Sequence, residues 1–205
     1  MKYLARRIGR RQFTGLLVAS FLGGVAPVSG RAAVNPAETY VSNIADEVMA
    51  LANSGQQGDG LRNRFASLLN RYINLRVIAN YALGTYQGKL PANKRDEFYR
   101  LVGNYAAALF VYYVEDFRGS ALDIMSTTTQ GKFTIIVTAI KRKGGGREQV
   151  RWRLLPAGGG FKVNDVNLKG VWLTISMKDR FSKVLNRSKG DFDKLFAELR
   201  EAETW

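Results

Sequence analysis

FTIIVTAIKRKGGGREQVRWRLLPAGGGFKVNDVN, residues 133–167, is where the apolar period of the chain shifts from 3.6 to 2. Within Val150-Arg151-Trp152-Arg153-Leu154 the alternation is clean. Val150, Trp152 and Leu154 point one way and the two arginines the other, the pattern of a half-buried strand. Phe133 to Ile140 behaves differently: Phe133, Ile135 and Val137 occupy one side, while Ile136 and Ile140 share the other with Thr134 and Thr138, so both sides ask for cover. The triplets Gly144-Gly145-Gly146 and Gly158-Gly159-Gly160 separate these runs as the short loops of antiparallel hairpins. The same period predicts a strand over Ala121–Thr129 before this stretch and another over about Val171–Ile175 after it.

On both sides of the strands the period is helical. Asn35-Pro36-Ala37-Glu38 is a helix start: Asn35 can accept from the first amides, Pro36 suits the first helical position, and Glu38 stands where a capping box places an acid. Tyr40, Val41, Ile44, Val48 and Leu51 follow at helical spacing until Asn53-Ser54-Gly55. A second pattern, Leu61, Phe65, Leu68, Leu69 and Tyr72, runs on into Val77, Ile78 and Tyr81 with a break near Asn74 and an end at Gly84. The longest run, about Ala92 to Phe117, places Phe98, Leu101, Val102, Tyr105, Leu109, Tyr112, Tyr113 and Phe117 on one broad stripe roughly 35 Å long. After the strands, Ser176–Asn186 and Asp191–Glu203 return to helical spacing. Helices, a meander, then helices predict an α+β fold: helices packed on one face of a curved antiparallel sheet of four to five strands.

Composition narrows the chemistry. The 205 residues, 46% apolar and 23% charged, have room for one globular domain and a short appendage. The absence of cysteine and histidine excludes disulfide scaffolds, thiolate or imidazole metal sites, and every catalytic triad built on an imidazole base. Residues 1–32 read as an export signal. Lys2, Arg6, Arg7, Arg10 and Arg11 precede an uncharged stretch from Gly15 to Gly30, and Arg10-Arg11-Gln12-Phe13 resembles a twin-arginine signal. That stretch falls short of the roughly 20 apolar residues of a spanning helix. Cleavage after Ala32 would leave a single domain, residues 33–205. Loss of six basic residues, Arg31 among them, then reduces 31 basic residues to 25 against 17 acids, a surplus of eight. In an envelope compartment such a surplus favours anionic lipid surfaces over nucleic acid.

No motif announces catalysis. Gly131-Lys132-Phe133 lacks the Ser or Thr of a phosphate loop. The paired acids Asp46-Glu47, Asp96-Glu97 and Glu115-Asp116 lie on helices, where sequence neighbours diverge by about 100°. No run of acids matches a calcium loop, so neither a metal nor a cofactor is expected. Lys141, Arg142, Lys143, Arg147, Arg151 and Arg153 form a basic strip that reads first as a solvated face and second as a phosphate-binding surface. Residues 33–205 hold 20 aromatics, enough for a dense core or for the walls of a ligand cavity.

Three stretches taken in order resemble the MlaC, or toluene-tolerance, family of periplasmic phospholipid-binding proteins. They are Tyr72 to Gly88 (YINLRVIANYALGTYQG) with Phe98 and Tyr105 to Leu109; Val150 to Leu154 with Gly160 to Val166 (GFKVNDV); and Gly170-Val171 with Gly190 to Leu195 (GDFDKL). The resemblance spans about residues 36–200. It implies a non-enzymatic carrier, an auxiliary component of an ABC transport system. Such a carrier encloses acyl chains in an apolar cavity between sheet and helices and shuttles lipid between an outer-membrane lipoprotein complex and the inner-membrane transporter. A related branch is associated with hopanoids, so a polycyclic lipid is an alternative cargo. Lys169 stands where the family often has an acid, and Trp172 where it has a small polar residue.

On this resemblance the tail-binding residues are expected to be Tyr72, Leu75, Ile78, Tyr81, Leu83, Phe98, Val102, Tyr105, Leu109, Ile135, Val150, Trp152, Val163, Val166 and Val171, with Arg147, Arg151 and Lys169 for the head group or for docking. A monomer that touches membrane surfaces transiently and binds no nucleic acid is the implied state. Two rivals stay open: an enzyme using Asp123 or Asp165 as base on a cone-shaped α+β scaffold, and a nucleic-acid binder using the Lys141–Arg153 strip.

Overall fold

The computed structural model describes residues 35–119, 121–141 and 145–204. The expected export signal and its cleavage point lie outside these residues, as do Arg142, Lys143 and Gly144.

Helix α1, Pro36–Ala52, starts as its sequence dictates: Asn35 Oδ1 accepts from the Ala37 amide at 3.0 Å, with Pro36 in the first turn. The capping box does not close. Glu38 instead accepts from the hydroxyl of Thr127 at 2.5 Å, tying α1 to strand β1, Ala121–Gln130. Helix α2 runs Gly58–Tyr72 and α3 Leu75–Leu83, with the expected break between them at Ile73 and Asn74. There the backbone turns extended, Ile73 bridges Val163, and the Asn74 amide donates to the Val163 carbonyl at 3.2 Å, while Asn74 Oδ1 caps α3. The break is therefore a docking point on the sheet.

A short 3-10 turn, Ala92–Lys94, leads into the long helix α4, Arg95–Phe117. Its expected single stripe is corrected. Phe98, Leu101, Val102 and Tyr105 are buried, but farther along Ala107, Ala108, Phe110 and Val114 turn inward and Tyr112 and Tyr113 are exposed. The cause is a change of neighbour along the helix. The first half of α4 packs beside α6, Phe192–Glu201, and the second half meets α2, where Phe110 stacks on Phe65 at 3.8 Å.

Strands β1, β2 (Phe133–Lys141), β3 (Arg147–Ala157), β4 (Gly160–Leu168) and β5 (Val171–Trp172) form one antiparallel meander in sequence order. Gly158 and Gly159 both take positive φ, 57° and 80°, as the two-residue turn from Ala157 to Gly160 requires. Bulges at Met125 in β1 and Asn164 in β4 bend the edges of the sheet.

The expected last strand is shorter than its alternation suggests. Only Val171 and Trp172 pair, and helix α5 already begins at Leu173 and continues to Arg187. The reason lies in β4. The buried Asp165 carboxylate accepts from the Thr174 amide at 3.2 Å and from its hydroxyl at 2.5 Å, capping a helix whose own N-cap residue, Trp172, offers no acceptor.

The β4–β5 turn uses Lys169 at φ 52° and Gly170 at φ 85°. The first position is strained for lysine, where Asn or Asp is at ease. Lys169→Asn is expected to raise stability by about 0.5–1 kcal/mol, read as a higher urea midpoint at unchanged slope.

Candidate functional site

The face of the sheet turned toward α1 and α2 follows from the strand register. Thr138, Val150 and Leu168 form one cross-strand row; Ile136, Trp152 and Val166 the next; Thr134, Leu154 and Val163 a third. The Asn164 bulge restores phase in β4, which is why Val163 and Val166 share this face despite being three residues apart. Ala37, Val41 and Ile44 of α1 and Leu68 of α2 close over these rows, with Tyr40, Phe65, Tyr72 and Phe161 at the margins. Ile136, Leu154 and Val163 are fully buried in this seam.

Within the seam polar groups are few and satisfied. The Trp152 indole N–H donates to Thr138 Oγ1 at 2.9 Å, and the Thr138 hydroxyl donates to the Val150 carbonyl at 3.2 Å. Apart from these groups, Thr134 and the Glu38–Thr127 pair, the seam is lined by hydrocarbon.

At one margin the polarity reverses. Tyr40 donates to the Tyr72 carbonyl at 3.2 Å and Tyr72 to Glu47 Oε1 at 2.5 Å, while Arg71 pairs with Glu47 at 3.0 Å. Lys162 of β4 donates to the Arg71 carbonyl. Burial first, and the neighbouring Tyr72 second, push the Tyr40 hydroxyl up to about 12, so it stays a neutral donor. The hydrogen bond to Glu47 raises Tyr72 above the ordinary tyrosine value. Beside this polar margin a surface groove of about 380 Å³ runs between α1 and α2, lined by Glu47, Ala50, Leu51, Ser54, Arg64, Ser67, Leu68 and Arg71. Leu68 belongs to both the groove and the seam. The arrangement is amphipathic: hydrocarbon inside, and two tyrosines, a carboxylate and cations at the edge.

Residues 42–201 match the family model described as MlaC protein. The chain belongs to the MlaC family. Its fold is similar to that of a phospholipid-binding protein from Ralstonia solanacearum, solved in complex with a phospholipid: the TM-score is 0.68 at 16% identity, covering 83% of this chain and 98% of the other. At that identity the likeness is one of fold. No curated protein sequence matches the chain.

The residues expected to line a tail site in this MlaC-family chain fall into separate places. Tyr72, Val150, Trp152, Val163 and Val166 lie on the seam. Ile78, Leu83, Phe98, Val102 and Tyr105 are buried in a second cluster built from α3, α4, α5 and α6, and Leu75 and Leu109 pack against its edge. Ile73 touches both clusters. Tyr81 and Val171 are exposed.

Ile135 is buried but sits on the opposite face of the sheet, cross-strand from Arg153. Its neighbour Ile136 takes the seam position. Both faces of β2 are apolar, so alternation within that strand alone could not choose between them.

The three cations expected at the mouth do not converge. Arg147 pairs with Asp123 at 3.3 Å, Arg151 is exposed on the face opposite the seam, and Lys169 occupies the β4–β5 turn. Tyr40, Ile136, Leu154 and the Glu47, Arg71 and Lys162 margin were missed by sequence reasoning. Tyr40, Ile136 and Leu154 carried a signal, since each stood in a recognised apolar pattern. The charged margin did not, because it joins three separate elements.

The carboxylates named for the enzyme rival are engaged otherwise. Asp123 pairs with Lys141 at 2.8 Å and with Arg147. The hydrogen bond from Lys141 leads in holding its carboxyl below the usual range, the opposite of a poised base at neutral pH. Asp165, almost wholly buried, accepts from the amides of Val166 and Thr174 and from the Thr174 hydroxyl, with Arg153 at 3.6 Å. Among the described residues no group of three acids gathers as a metal site, and no helix is long and apolar enough to cross a membrane.

Proposed function

We propose that this MlaC-family protein is an exported, non-enzymatic carrier that takes phospholipid acyl chains into the seam between the sheet and helices α1 and α2. The head group then rests at the Tyr40, Tyr72, Glu47 and Arg71 margin. The observation that carries the reading is the polarity of that seam, hydrocarbon within and hydrogen-bonding groups at one edge. It is supported by the family and by the fold shared with a protein solved with phospholipid bound.

Side chains fill the seam, so entry of a tail requires α1 and α2 to part from the sheet. Burying each CH₂ contributes about 0.8 kcal/mol, and a long acyl chain thereby offsets the separation. No covalent step is needed. In the periplasm such a carrier would receive lipid at one membrane complex and release it at another, with an outer-membrane lipoprotein complex and an inner-membrane ABC transporter as its partners.

Mass spectrometry of an organic extract of the purified protein tests this directly. About one phospholipid per chain is expected, and an extract free of lipid overturns the proposal. Val163→Trp, which forces an indole into the seam, is expected to lower lipid content severalfold while costing about 1–3 kcal/mol of stability. Unchanged lipid content in folded Val163→Trp would remove the tails from the seam.

A further inference from the structure

One flank of the molecule leaves apolar side chains in solvent away from the seam. On α3, Ile78, Ala79, Ala82 and Leu83 face inward, and Val77 (45% exposed) and Tyr81 (48%) occupy the outer side one turn apart. Helix α3 packs along α5, where Lys178 Nζ lies 5.5 Å from the centre of the Tyr81 ring. On α5, Thr174, Met177 and Phe181 turn inward, so Ile175 (38% exposed) and Lys178 share the flank beside Tyr81. Val171 (49% exposed) and the exposed Lys169-Gly170 turn immediately precede α5.

The charge around these side chains is mainly positive. Lys169 and Lys178 enter no ion pair among the described residues, and Asp179 is the exposed acid of the first turns of α5. We infer that this α3–α5 flank docks on an anionic bilayer surface, an inference that deepens the carrier reading and rests on it. The pattern suits a lipid interface. Lysines reach phosphates while their stems, a tyrosine and single aliphatic side chains enter the boundary of the acyl region. It suits a protein partner less well, because the centres of protein interfaces are depleted in lysine and here lysines interrupt the apolar residues. A two-fold contact with a second copy would bring like charges together.

The test uses the full purified chain and vesicles of phosphatidylcholine, with or without about one-third phosphatidylglycerol, read by co-sedimentation. Wild type is expected to bind the anionic vesicles and to release them as salt rises. Val77→Glu/Ile175→Glu and Lys169→Gln/Lys178→Gln are each expected to weaken that binding about tenfold, with melting temperature and extracted lipid per chain unchanged.

Equal binding of wild type to both vesicle types overturns the inference. So does wild-type binding by both variants, which would leave the flank to a protein partner. Loss of bound lipid in the variants also overturns it by making the flank part of the lipid site. A wild-type protein that binds anionic vesicles but yields no extracted lipid would remove the carrier reading and leave the docking surface standing.

Discussion

Phe98→Ala is expected to lower the free energy of unfolding by about 3–5 kcal/mol. The Phe98 ring is fully buried where α4 crosses α5 and α6, with ring centres 6.1 Å from both Phe181 and Phe196 and 5.7 Å from Tyr99. Each of these neighbours is anchored on a different helix or turn, so collapse into the space left behind is limited and the cavity term adds to the lost burial. Urea unfolding with an unchanged slope measures the loss. Lipid content per folded chain is expected to stay at the wild-type value, because Phe98 lies in the helical cluster and not on the seam. A folded Phe98→Ala protein with reduced lipid would place the helical cluster in the binding site and overturn the separation of helical core from seam.

Asp165→Ala is expected to cost about 2–4 kcal/mol, with the damage centred on the first turn of α5. The substitution removes one acceptor group shared by two amides and a hydroxyl, and it leaves Arg153 facing a buried void. Arg153 also stacks 4.0 Å from the Trp172 ring, so the loss reaches the β5 pairing. Asp165→Asn keeps one carbonyl oxygen and is expected to lose about half as much. Hydrogen exchange at Thr174 and its neighbours distinguishes local release from global destabilisation. Wild-type stability of Asp165→Ala would show that α5 needs no cap from β4. Restored protection in Asp165→Asn would show that acceptor geometry matters more than charge.

These two residues illustrate what could be read from the chain. Phe98 was assigned to an apolar helical stripe, and it is buried as that stripe requires, although its partners, Phe181 and Phe196, lie more than eighty residues away. Asp165 was visible only as an acid in a strand, because its role depends on Thr174 reaching it from a helix that its own carboxylate begins. The candidate site divides the same way. Trp152, Val150 and Leu154 were assigned to one face by alternation, and the structure keeps them together. Phe98, Val102 and Tyr105 are grouped with them by the family resemblance and the helical period, yet they are buried in the cluster built from α3, α4, α5 and α6.

What the sequence determined by itself is local. Asn35 and Pro36 start α1, Asn74 interrupts the α2–α3 pattern, Gly158-Gly159 turns one hairpin, and the shift from period 3.6 to 2 marks where helices give way to strands. Each of these acts through the φ preference of one residue or through hydrogen bonds within about four residues, so it is present in any short window of the chain.

The tertiary structure decided which apolar faces meet. Ile136 rather than Ile135 looks toward α1 and α2 because β3 sets the register of β2, and Val166 joins Val163 on the seam because a bulge at Asn164 shifts the phase of β4. Hydrophobic burial is non-directional and favours either face of such a strand almost equally. Only the pairing of distant segments breaks the tie.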